Sequence, residues 1–483
     1  MSNDVKLQRA ALMRNPNFRW LLGGGVVSML GDQLTMIALP WLVLKLTGDA
    51  LALGLTIAMM SIPRAVFILL GGALVDRYSP KRVLMLSKFA NAALLALLVA
   101  LTLNTQPQWT LTLPFMSTLS LTLAMTPHIT LYLLYALALG LGLAQAFGIP
   151  SGTSIMPQAI APEHLEGANG MLMGMRQLTT LAGPLLAAAL IALAGDGGGA
   201  AGGAIADAHV AYAHVAYAHV AYAYVANARG LALAFGCDCA SFLLSAWTLS
   251  KVRGLMPAAH PASQKEGMLR SIIVGLKMVW DDHPLRTCFI YWGVVSLFIG
   301  GAMQVALPVL ANERLHGATA LGLLVAANGC GTLIGMAVAA MAGARLRLRS
   351  FGATILLIDG VVGVLISPLG AIDALWQGGL LLLTVGVLAG FMQIAVFTWI
   401  QRRIPRHMMG RAMSIFMFIF MGLAPLSAAA AGWLLTRFTL TQMFAGGGAL
   451  LVLFALGAAL FTPMLQIAHA SAATSTPSNP EST

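Results

Sequence analysis

QAIAPEHLEGANG, residues 158–170, returns in the second half of the chain as QRRIPRHMMGRAM, residues 401–413, without a gap. Gln158 matches Gln401, Pro162 matches Pro405, His164 matches His407 and Gly167 matches Gly410. Farther on, GPLLAAAL from Gly183 resembles APLSAAAA from Ala424 after a shift of two residues. A polar junction repeated between equivalent apolar runs implies an internal duplication, so the chain reads as one unit built twice.

Outward from these junctions, apolar segments fall at about 18–46, 51–75, 83–104, 128–150, 169–194 and 229–250, then at about 286–311, 318–343, 351–370, 375–400, 410–435 and 441–465. A crossing needs roughly 20 apolar residues. Of the 483 residues 59% are hydrophobic and 9% charged, against about 25% charged in soluble proteins, which excludes a soluble globular domain and a disordered chain. The expectation is an all-α membrane protein with twelve transmembrane helices in two pseudo-symmetric six-helix bundles. The 51 glycines suit helices whose backbones approach closely. Pro107, Pro114 and Pro127 break the stretch 105–127, which is assigned to an outer loop.

The boundaries that follow are a cytoplasmic N-terminus 1–17, a first bundle 18–250, a cytoplasmic linker 251–285, a second bundle 286–465 and a disordered cytoplasmic tail 466–483. The net charge of +11 is spread in short groups between apolar runs and so reads as a topology signal rather than a nucleic-acid surface. With the N-terminus inside, the inner ends collect Lys6, Arg9, Arg14, Arg19, Arg77, Lys81, Arg82, Lys88 and the arginines at 402, 403, 406 and 411, among others. The outer ends collect Lys45, Arg229, Arg314 and Arg437. Both termini are therefore expected in the cytoplasm, with the chain in the cell inner membrane. Cys237, Cys239, Cys288 and Cys330 lie in apolar segments and read as buried small residues.

Within the linker, Leu269, Ile272, Ile273, Leu276, Val279 and Trp280 recur at helical spacing, as expected of a helix lying on the inner leaflet. Residues 195–228 read as a low-complexity outer loop of AHVAY units carrying His209, His214 and His219. A spacing of five residues turns about 140° on a helix and changes face on a strand, so neither geometry gathers three metal ligands.

Ionisable groups at membrane depth are functional hypotheses by default. Asp32 and Arg64 sit about 21 Å and about 18 Å from the inner ends of the first and second spans at 1.5 Å per residue, so they share a depth. Ser28, Asp32 and Thr35 form one polar stripe, and Asp238, Ser241, Ser245 and Thr248 form another. Asp32, Arg64 and Asp238 are candidates for proton coupling; a permanent Asp–Arg pair that only holds helices together is the competing reading. Arg176 and Asp359 lie nearer the inner surface. No lysine follows a glycine, so a P-loop is absent, and no catalytic triad or metal signature stands out. No enzyme activity, cofactor or metal is expected.

GGALVDRYSPKR, Gly71 to Arg82, resembles the loop motif of the major facilitator superfamily through Gly72, Asp76, Arg77, Lys81 and Arg82; Ser79 and Pro80 depart from it. GDQLTMIALPWLVLKLTG from Gly31, the stretch Gln158 to Pro184 and IQRRIPRHMMGRAMS from Ile400 look like its macrolide-efflux and enterobactin-exporter branch. The resemblance implies a central cavity, alternating access, and an inner gate in which Asp76 and Arg77 close against the eleventh span near Arg411. It also implies export of a small-molecule substrate, a drug or siderophore; with the buried carboxylates supplying proton coupling, the expectation is a monomeric antiporter with protons as the coupling ion. An importer, a lipid-translocating member of the same fold and a non-transporting sensor are the alternatives. Polar groups inside the spans that could line the cavity are Gln33, Gln145, Arg176, Gln304, Asn328 and Gln393; each could equally be a helix-to-helix hydrogen bond. The 27 methionines offer soft apolar surface for amphipathic molecules.

Deleting the AHVAY tract should leave transport intact; zinc-dependent activity that disappears when its histidines are replaced would show the tract to be a metal site instead.

Overall fold

A computed structural model describes residues 12–77, 79–103, 108–112, 120–124, 127–161, 164–194, 213–253, 268–315, 317–342, 350–404 and 408–468. In hydrocarbon each backbone N–H and C=O has to be satisfied within its own segment, so apolar runs become helices. They are α1 (Pro16–Thr47), α2 (Ala50–Arg77), α3 (Pro80–Leu103), α4 (Pro127–Ala159), α5 (Leu165–Ala194) and α6 (Ala213–Lys251) in the first half. The short α7 (Met268–Asp281) precedes the second half. There α8 (His283–Val295) and α9 (Ala302–Glu313) form one rod through a π turn, Ser296–Gly300. Then come α10 (Ala318–Ala342), α11 (Phe351–Ile366), α12 (Leu375–Arg403), α13 (Met409–Gly422) with α14 (Ala424–Leu434), and α15 (Leu440–Phe461).

Ten rods among the described residues are long and apolar enough to cross a membrane, and α2 and α5 occupy the two remaining places expected from sequence. Local chemistry sets their ends. Asn15 caps α1, its side chain accepting from the N–H groups of Asn17 and Phe18 at 2.9 and 3.3 Å, and Pro16 opens the first turn. Gly48, at φ 63°, closes that helix by returning its N–H to the Leu44 carbonyl.

Lipid supplies no hydrophobic drive between rods, so packing rests on close backbone approach at small residues. Gly331 and Gly335 of α10 face the carbonyls of Leu383 and Val387, while Gly386 and Gly390 of α12 face those of Asn328 and Thr332. The same device joins the halves. Gly54 of α2 abuts the Ala428 carbonyl of α14, and Gly322 of α10 abuts the Pro184 carbonyl of α5. The π turn frees backbone donors, and Ser427 Oγ accepts from the N–H groups of Gly301 and Ala302, both at 3.1 Å.

The apolar core is continuous at one end and divided at the other. Leu39, Leu42 and Leu53 of the first half pack in one cluster with Leu310, Leu324 and Ala428 of the second. Toward the end where α1 begins, the halves keep separate cores. One holds Phe18, Ile155, Ile160 and Leu249. The other holds Phe289, Trp292, Trp399 and Phe416.

Three features modify the sequence reading. The stretch assigned to an irregular outer loop contains an antiparallel hairpin, Gln108–Thr112 with Ser120–Ala124, Thr110 facing Thr122. Threonine and leucine alternate there with the period of a strand, a signal the prolines had masked. The low-complexity tract does not stay a loop to residue 228: α6 starts at Ala213, within it, because alanine-rich sequence favours helix. The side chains of its histidines lie outside the described residues. Helix α7 forms as expected, with Ile273, Leu276 and Trp280 exposed and Val279 buried. It is clasped to the second half at Asp282, which caps α8 through Leu285 N–H at 2.9 Å and accepts Arg403 Nε on both oxygens at 3.0 and 2.9 Å.

Gly335→Val should drive a methyl into the Val387 carbonyl and cost about 1–3 kcal/mol, whereas Gly379→Val, on the open side of α12, should be nearly silent. Thermal unfolding of the two purified variants in detergent gives the comparison.

Candidate functional site

Along α1, α3, α4, α5 and α6 an apolar stretch belongs to the shared core and another to the divided core, and polar residues fall between them. On α1 the divided core holds Phe18 to Leu22 and the shared core begins at Leu34, with Asp32 between. On α3 the corresponding residue between Met85 and Ala92 is Lys88; on α5, between Leu172 and Ala187, it is Arg176; on α4, between Leu141 and Ile155, it is Gln145. Arg64 lies just past Met60 of α2. A polar layer is thus sandwiched between two apolar ones at the level where the core splits.

Asp32 is its centre. Gln145 Nε2 donates to Asp32 Oδ1 at 3.4 Å, and the charges of Lys88, Arg64 and Arg176 all act on the carboxylate. Among the described residues, none of the three cations comes within ion-pair distance of a carboxylate. Arg64 shares the site without a close ion pair to Asp32, and its buried Nε has no hydrogen-bond partner among the described residues. Lys88 Nζ instead donates to Ser28 Oγ at 2.9 Å and sits 5.1 Å from the Phe242 ring centre. Arg176 is exposed.

Lys88 is the residue that sequence reasoning misplaced, by grouping it with the inner-end basic residues. It lies eight positions past Pro80, about 12 Å into the helix. That depth count was available in the sequence; the Ser28 partner was not.

Asp238 lies in the seam between α1 and α6, with the stripe expected for it. It is 1% exposed, receives hydrogen bonds from Thr35 Oγ1 and from Ser241 Oγ, the latter at 3.1 Å, and faces Gly31. Ser241, Ser245 and Thr248 continue the buried α1–α6 seam. Lys88 is also within electrostatic reach of Asp238, which links seam and cluster.

The remaining candidates divide by role. Gln33 reaches Thr180 Oγ1 at 3.5 Å across α1 and α5, and Asn328 donates to the Leu382 carbonyl at 3.2 Å, so both tie helices together. Gln304 and Gln393 are exposed on α9 and α12. Asp359 accepts from Tyr291 Oη at 2.8 Å in the second half, apart from the Asp32 cluster. In the loop motif, α2 carries Gly72, Asp76 and Arg77 to its last turn, but their side chains and that of Arg411 lie outside the described residues. Lys81 Nζ donates to the Val252 and Ser250 carbonyls at 2.6 and 3.3 Å, stabilising the negative end of α6, and Arg82 is exposed. Among the described residues no cluster suited to a metal ion occurs.

Asp238→Ala should leave the Thr35 hydroxyl without its acceptor and lower stability by about 1–3 kcal/mol, while Asp238→Asn, which retains an acceptor, should lose less. Denaturation midpoints of the two variants separate these outcomes.

A family model described as Major Facilitator Superfamily matches residues 21–429. The chain is similar to the proteins named Enterobactin exporter EntS of Shigella boydii serotype 18 and Escherichia coli O81, each 22% identical over 406 residues that cover 84% of this chain and 82% of the relative. Among solved structures, the nucleoside transporter NupG superposes with a TM-score of 0.63 at 11% identity, over 91% of this chain and 98% of that one. A bacterial homologue of the iron transporter ferroportin in an inward-facing state gives 0.63 at 16%, over 92% and 98%. A D-xylose-proton symporter gives 0.59 at 15%, over 94% and 98%. The family match spans both halves and the fold agrees with it, so the chain belongs to the major facilitator superfamily, as a transporter and not an enzyme.

Proposed function

We propose that the protein is a secondary active transporter of the cell inner membrane that exports amphipathic small molecules by alternating access, with Asp32 as the site of proton coupling. The observation that carries this reading is the polar layer itself: a carboxylate on α1 surrounded by cations from α2, α3 and α5, at the level where the shared core gives way to two. Ionisable groups at such depth are costly and persist where they serve a pathway. Protonating Asp32 changes the charge of the cluster by one unit and so changes its affinity for cargo. Each proton moving inward gains about 2.3 kcal/mol per 100 mV.

The shared cluster closes the end carrying Leu42 and Leu310, and the divided cores leave the opposite end free to part. The basic residues at that opposite end support reading it as cytoplasmic, with both termini in the cytoplasm and this conformation facing inward, in a transporter that works as a single chain. Asp76, Arg77 and Arg411 form the gate on that side, and residues 251–285 link bundles 18–250 and 286–465. Export as the direction, and a siderophore or drug as the cargo, draw support from the similarity to the enterobactin exporters.

Purified protein in liposomes under an imposed pH gradient, assayed with enterobactin and a set of fluorescent amphipathic dyes, tests the reading. Asp32→Asn should slow gradient-driven flux at least about tenfold, equivalent to 1.4 kcal/mol in barrier. Unchanged flux in that variant removes Asp32 from the mechanism.

A further inference from the structure

The charge balance of the polar layer bears on the cargo. Arg64, Lys88 and Arg176 approach from three helices, and the carboxylates within their reach are Asp32 and Asp238. Asp238 is engaged by Thr35 and Ser241 in the α1–α6 seam. That leaves Asp32 as the one carboxylate turned toward three cations, and it forms no close ion pair with any of them among the described residues. Arg64 Nε is buried with no acceptor. Among the described residues Lys88 Nζ donates to a hydroxyl and lies over a ring face, with the charges of Asp32 and Asp238 farther off. Arg176 is exposed. In the second half the exposed Gln304 and Gln393 are neutral, and the carboxylate of Asp359 is held by Tyr291.

Unmatched cations at membrane depth are expensive, and an interior that tolerates them is prepared for a negative partner. Guanidinium groups are forked donors suited to carboxylates, sulfonates and similar anions. Beside these charges lie exposed methionines: Met36 is 57% exposed one turn from Asp32, and Met173 is 61% exposed one turn from Arg176. Thioether side chains adapt to varied apolar shapes and make favourable contacts with aromatic rings.

We infer that the cargo is an amphipathic organic anion, its acidic group held by Arg64 and Arg176 with Lys88 behind them, and its apolar body against Met36 and Met173. This rests on the transporter reading above and adds the sign of the cargo's charge to it.

The test is equilibrium binding of three probes of one size and shape to the full chain in neutral detergent: 2-naphthoate, 2-naphthamide and 2-naphthylmethylammonium. Naphthoate should bind at least about tenfold more tightly than the amide, a difference of 1.4 kcal/mol, and the ammonium most weakly. Arg64→Gln and Arg176→Gln should each remove most of the naphthoate preference over the amide, while the thermal unfolding midpoint in the same detergent, which reports an intact fold, stays near that of the parent protein. Ammonium binding as tight as naphthoate, or a naphthoate preference unchanged in both variants, overturns the inference. Because no gradient is applied, those results leave proton-coupled flux untouched, and loss of flux coupling in liposomes leaves the probe ranking untouched.

Discussion

Each rod of this protein has to satisfy its own backbone, because hydrocarbon offers no partner for an unpaired N–H or C=O. Everything else follows from how such rods then hold one another without a hydrophobic drive. The solution is repeated contact of glycine with a facing carbonyl: α10 with α12 through Gly331, Gly335, Gly386 and Gly390, and the two halves with each other through Gly54 and Gly322. Where the rods depart from regular helix, a side chain stands in, as Ser427 does for the donors freed after the π turn.

The two halves share a repeat yet have specialised differently. In the first, charge is gathered into one layer around Asp32. In the second, the divided core is dominated by aromatic packing, with Phe289, Trp292 and Phe416 in mutual contact and Phe351 stacked on Trp399 at 4.7 Å. Arg403 lies over Trp399 and holds Asp282, and Arg286 lies over Trp280 and donates to its carbonyl, so the junction between α7 and the second half is fastened by two arginines.

Some of this was legible residue by residue. Helical placement of the twelve apolar runs, the helix in the linker and the depth of Asp32 and Arg64 all follow from run length and the 1.5 Å rise. The Ser28–Asp32–Thr35 stripe correctly announced a face turned into the first half. What the stripe could not say is that its members answer to different partners: Ser28 to Lys88, Thr35 to Asp238, Asp32 to a ring of cations. For Asn328 the sequence left open a cavity role or a helix-to-helix hydrogen bond, and its side chain bonds to α12; the hairpin after α3 hid behind its prolines.

The sequence by itself determined the rods, their order and their duplication, because apolar length, capping residues and a repeated junction are properties of neighbours along the chain. Tertiary structure alone decided which polar groups meet. Lys88, Arg64, Arg176, Gln145 and Asp32 come from five helices, and their convergence depends on the rotation and depth of each rod, which are set by contacts between residues distant in sequence.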